Sequence, residues 1–136
     1  MKELTLEAII DNVPQVTAFV EQQLEELDCS PKVMMQISVA IDEIFGNIAY
    51  YAYGPAGGQA TVQVETEPEK PAVVITFIDQ GKPYNPLEKE DPDVTLSAAE
   101  RKIGGLGIFL VKNIMDSVEY EYRQGQNVLR LRKLLD

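Results

Sequence analysis

The chain has 136 residues, 45% of them hydrophobic, and a formal net charge of −10. That is the usual size of one domain with a core of its own, and so acidic a chain argues against a nucleic-acid binder, which needs cations to neutralise phosphates. It has no histidine and one cysteine, Cys29, which excludes histidine acid–base chemistry, histidine metal sites, an internal phosphohistidine and an internal disulfide, and disfavours zinc.

No secretory signal precedes the first helical pattern and no apolar run nears the ~20 residues that span a bilayer, so a cytoplasmic setting without a membrane is expected. LTLEAII (4–10) has the character of a first strand. Asn12 is placed to cap a helix in which Val13, Val16, Phe19, Val20, Leu24 and Leu27 recur at helical spacing. Ser30–Pro31 is a helix start, a capping hydroxyl followed by proline in the first turn. The second helix then runs to about Tyr53, with Met34, Ile37, Ile41, Ile44 and Ile48 as its apolar stripe, and GPAGG (54–58) stops it.

Within that helix stands EIFGN, Glu43 to Asn47. Four residues turn a helix by ~400°, so the two side chains lie ~40° apart at the margin of the apolar stripe, while Asp42 points to solvent. A carboxylate and a carboxamide stacked there can share a water or a Mg²⁺ ion, whose shell is completed by waters and phosphates; the pair can equally be a hydrogen-bonded tie between helix and loop.

TVQVETE (61–67) alternates as a half-buried strand, and AVVITFID (72–79) is the denser run of a central strand. Asp79 ends it, with Gly81 two residues on. An aspartate at a strand end suits an amine donor such as that of adenine, with the bare glycine beside a flat ring; it also suits a plain turn. Residues 81–105 form a long stretch with three prolines and little periodicity, a length that in a compact domain marks function or mobility.

Gly104, Gly105 and Gly107 open the next helix, with Arg101 and Lys102 just before them. Exposed backbone N–H groups and the positive end of the helix favour phosphate there, whereas a glycine hinge is the bland alternative. Ile108, Val111, Ile114 and Met115 face one way along this helix. SVEYEYRQ (117–124) and NVLRLRKL (127–134) alternate as a hairpin joined by Gly125–Gln126. The order β α α β β, loop, α β β predicts an α+β fold, a mixed, mostly antiparallel sheet with helices on one face.

Taken in this order, EIFGN, DQG and GGLGIFLVKNIMD resemble the N-box, adenine-contacting box and glycine-rich box of the GHKL (histidine kinase-like) ATPase superfamily, and within it the anti-sigma-factor serine kinases. The resemblance covers about residues 8–134 and implies a single Bergerat-type two-layer sandwich over 1–136, with an ATP lid at about 82–103. It implies ATP and Mg²⁺ as cofactors. Glu43 matches the catalytic glutamate, Asn47 the magnesium-binding asparagine, and Asp79 with Gly81 the adenine contact. Arg101, Lys102, Gly104, Gly105, Leu106 and Gly107 fall around the phosphates. One departure is Pro83, where the fuller motif has a second glycine. The partners implied are a STAS-type anti-anti-sigma protein, phosphorylated on serine, and a sigma factor, with the kinase as a homodimer and no direct nucleic acid. The alternative is an ATP-binding partner-switching module with little transfer. The ATPase half of a histidine kinase ranks low, since the chain has no histidine of its own.

Overall fold

The computed structural model describes residues 1–67, 71–88 and 105–135. Strand β1 (Lys2–Glu7) is followed by a single 3-10 turn, Ile10–Asn12, and helix α1 (Val13–Leu24). The first strand therefore sits earlier than the apolar run 4–10 suggests: Ile9 and Ile10 have left it and are exposed. Asn12 does not cap α1 through its side chain; its Nδ2 donates instead to the Glu7 carbonyl at 2.9 Å. Val16, Val20 and Leu24 are buried, but the helix tightens into a 3-10 turn at Glu25–Leu27, and Leu27 is exposed.

Helix α2 (Pro31–Tyr51) starts as expected, with Ser30 Oγ accepting the Val33 N–H at 3.2 Å. Ile37, Ile41, Ile44 and Ile48 form its buried stripe together with Val33, Ala40 and Phe45. Strands β2 (Gln59–Glu67) and β3 (Ala72–Asp79) follow, then helix α3 (Gly105–Ile114) and strands β4 (Ser117–Arg123) and β5 (Gln126–Leu134).

The five strands form one sheet in the order β1–β2–β3–β5–β4, and every pairing is antiparallel. Alternate residues point to one face. Val62 and Val64, Ile75 and Phe77, Leu129 and Leu131 thus meet the buried stripes of all three helices in one core. Helix α2 packs against both α1 and α3. The other face carries polar pairs, such as the Thr5–Thr61 hydroxyl contact at 2.9 Å and the double hydrogen bond from Arg132 to Glu67. The result is two layers with the helices on one side. No described helix is long and apolar enough to cross a membrane.

The hairpin turn differs by one residue from expectation. Arg123 pairs with Gln126, so Gln124 and Gly125 make the turn, both at positive φ (52° and 75°). That is the two-residue turn whose twist matches the strands. Between α3 and the hairpin, Lys133 Nζ donates to the Ile114 carbonyl at 2.7 Å, a cation on the negative end of the helix.

Candidate functional site

Strand β3 delivers Asp79 to the core side. Val73, Ile75 and Phe77 alternate inward, and Asp79 continues that phase at the strand's end, 5% exposed. A carboxylate so placed needs donors. Oδ1 accepts two, the Gly81 N–H and Asn127 Nδ2, each at 2.9 Å. Among the described residues both bonds fall on Oδ1 and none on Oδ2, and Asp79 lines the pocket, so Oδ2 can accept from a donor that enters it.

Helix α2 builds the facing wall. Ile44, Asn47, Ile48 and Tyr51 recur at helical spacing on one face of the helix, and all line this pocket. Phe77 and Leu129 supply the sheet side, and the start of the long loop adds Lys82, Tyr84 and Pro86. Apolar walls with a few polar groups are the common form of a small-molecule site. Asn47 and Asp79, separated by thirty-odd residues in sequence, share it. Asp42 is exposed while Glu43 and Asn47 are half-buried, as the helical phase predicts.

Glu43 does not line the pocket wall; it sits one turn earlier on α2, against α3. A side-chain carbon added to Gly107 would fall on the Glu43 carboxylate, so the missing side chain there is what lets the two helices close around it. Gly81 has a similar explanation. A carbon added to it would fall on the carbonyl of Ala52, just past the end of α2, and that same carbonyl accepts the Lys82 N–H at 3.0 Å. The close approach at Gly81 is to the end of α2. Gly105 is the first residue of α3 and Leu106 the second. Arg101, Lys102, Gly104 and the greater part of the expected lid, from 89 onward, lie outside the described residues.

Several site residues escaped the sequence reading. Tyr51 and Tyr84, with ring centroids 6.2 Å apart, both line the pocket, and the exposed Lys82 adds a cation to its lining. Tyr53 ties the corner behind Asp79: its hydroxyl donates to the Gln59 carbonyl at 2.6 Å and accepts the Gln80 N–H at 2.8 Å. Burial first, and the Asp79 charge as well, push the Tyr53 and Tyr120 phenols up from their ordinary range. Asn127 was legible only as a strand residue, yet its phase with Leu129 and Leu131 was the signal: a carboxamide where the alternation calls for an apolar side chain.

Among the described residues no three His, Cys, Asp or Glu side chains gather to hold a metal ion. A divalent ion here would take oxygen from Asn47 and the rest of its shell from a ligand's phosphates and water, a donor set that suits Mg²⁺.

The sequence profile of a family described as "Histidine kinase-like ATPase domain" matches residues 6–133. The chain is 26% identical over 102 residues to a serine/threonine-protein kinase, BtrW, of Bordetella bronchiseptica, covering 75% of this chain and 71% of that protein. It is 27% identical over 114 residues to an anti-sigma F factor of Caldanaerobacter subterraneus, covering 84% and 76%. In fold it is similar to the crystal structure of the RsbU and RsbW domains of Rv1364c from Mycobacterium tuberculosis, with a TM-score of 0.63 at 16% identity; the match takes in 99% of this chain and 33% of that one.

Proposed function

We propose, since the chain belongs to the histidine kinase-like ATPase family, that it is an ATP-dependent serine-protein kinase serving as an anti-sigma regulator. Its protein substrate is a STAS-type antagonist and its second partner a sigma factor. The observation that carries this is the meeting of Asn47 and Asp79 on two walls of one pocket, with Glu43 one turn from Asn47 at the entrance of α3.

In this reading Asp79 Oδ2 accepts from the exocyclic amine of adenine, and the apolar walls take the ring. Asn47 would hold Mg²⁺ through its side-chain oxygen, and the ion would supply positive charge to the phosphates. The first N–H groups of α3, at Gly105, Leu106 and Gly107, face the phosphates with the positive end of the helix dipole; Arg101, Lys102 and Gly104 belong to the same group. Mg-ATP supplies the phosphoryl group when bound. Glu43 accepts the proton of the attacking serine hydroxyl, the Ser O–Pγ bond forms, and the bond from Pγ to the oxygen bridging it to the β-phosphate breaks, its electron pair leaving on ADP.

The test is direct. The protein is mixed with Mg-ATP and a STAS-type partner from the source cell, and phosphoserine is read by mass spectrometry. The wild type transfers phosphate. Glu43→Ala binds nucleotide but loses transfer by at least ~100-fold. Asn47→Ala binds Mg-ATP weakly and melts like the wild type without nucleotide. Tight ATP binding with no phosphoserine on any partner would leave a binding module that switches partners without transfer; no ATP binding at all would sink the reading.

A further inference from the structure

Of the three polar side chains buried among the described residues, two touch each other: Asp79 and Asn127. Asn127 stands opposite Asp79 in the β3–β5 register and is 6% exposed. An apolar side chain would fit this inward position, and a buried carboxamide is tolerable only when its hydrogen-bonding capacity is met. It is met in full. Nδ2 donates to Asp79 Oδ1 at 2.9 Å and to the Lys82 carbonyl at 2.8 Å. Oδ1 accepts the Tyr84 N–H at 3.0 Å and the Tyr120 hydroxyl. A carboxylate and a backbone carbonyl only accept, and a backbone N–H only donates, so the amide has one orientation.

We infer that Asn127 is the positioning residue that makes Asp79 select an adenine, which rests on the ATP reading of the pocket. Together with the Gly81 N–H it occupies Oδ1, so the carboxylate cannot rotate without losing two bonds, and Oδ2 is presented as a fixed acceptor. The 6-amine of adenine donates to such an oxygen. The 6-carbonyl of hypoxanthine or guanine only accepts, and meets it unpaired and repelled. Discrimination of this kind is large when the protein group cannot turn away. The same amide grips Lys82 and Tyr84, so the residue that fixes the base reader also fixes the first turn of the loop lining the pocket.

The experiment compares ATP with inosine triphosphate, by calorimetry on the full chain, in the wild type, Asn127→Leu and Asn127→Ser. Asn127→Leu keeps the size and removes both donors without setting a second charge against Asp79; Asn127→Ser is the smaller variant to use if the first does not fold. The wild type prefers ATP by at least ~30-fold. In the variants ATP affinity falls about tenfold or more while inosine triphosphate changes little, so the preference collapses. A merely structural residue would weaken both nucleotides together and leave the ratio intact, and that result overturns the inference alone. A wild type that binds no ATP overturns the reading beneath it as well. Amide exchange without nucleotide tests the tie itself: the Tyr84 N–H exchanges slowly in the wild type and fast in Asn127→Ser, and fast exchange in the wild type defeats it.

Discussion

A methyl group at Gly81 and a methyl group at Gly107 would meet different kinds of neighbour. At Gly81 it falls on the carbonyl of Ala52, which is backbone and already holds the Lys82 N–H. Neither partner can give way without pulling the loop off α2. Gly81→Ala is therefore expected to cost about 2 kcal/mol or more, seen as a lower urea midpoint at unchanged slope; an unchanged midpoint would mean that the loop shifts freely. At Gly107 the methyl falls on the carboxylate of Glu43, the tip of a flexible side chain, and alanine in a helix recovers about 1 kcal/mol over glycine. Gly107→Ala should keep the urea midpoint or raise it slightly; on the kinase reading proposed above, phosphotransfer falls at least ~tenfold because Glu43 is displaced. Loss of stability without loss of transfer would contradict the place assigned to Glu43.

Among the elements, α2 follows its sequence most closely. Serine and proline start it, the 3.6-residue stripe faces the core, and the same phase sets Glu43 and Asn47 at the margin. The hairpin followed its alternation but not its turn. Gly125 draws the eye, yet its partner in the turn is Gln124, held at φ 52° where an unbranched but bulky side chain is disfavoured. Asparagine tolerates that region better, and the pair Asn-Gly is the preferred one for this turn. Gln124→Asn is expected to stabilise by about 0.5 kcal/mol, read as a higher urea midpoint; a lower one would refute the turn assignment.

At the scale of the whole molecule, three half-buried groups share one sign. Burial raises the Tyr53 and Tyr120 phenols above 10.0 and the Cys29 thiol above 9.0. Each is neutral below its pKa, and folding raises that pKa. The stabilisation each lends is complete below the unfolded value and is lost as pH rises through the folded one. The melting temperature should thus decline in alkali, first above pH 9 and more steeply above pH 10. The gap between wild type and Tyr120→Phe should narrow over the same range; a constant gap would show that Tyr120 does not take part.

Local order determined much of this protein by itself: the helices and strands with their inward faces, and the exposure of Asp42 beside Glu43, because periodicity and capping are properties of neighbouring residues. Glu43, Asn47 and Asp79 stood out singly for the same reason, two as polar side chains at the margin of an apolar stripe and one at the end of an apolar strand. Tertiary structure decided what these residues meet. Gly107 closes on Glu43, Gly81 on Ala52, and Asn127 reaches Asp79, Lys82, Tyr84 and Tyr120 across two strand pairings and a loop. Most of those partners are far apart along the chain, and a buried hydrogen bond demands a fit within a few tenths of an ångström, which only the sheet register and the packing of α2 and α3 supply.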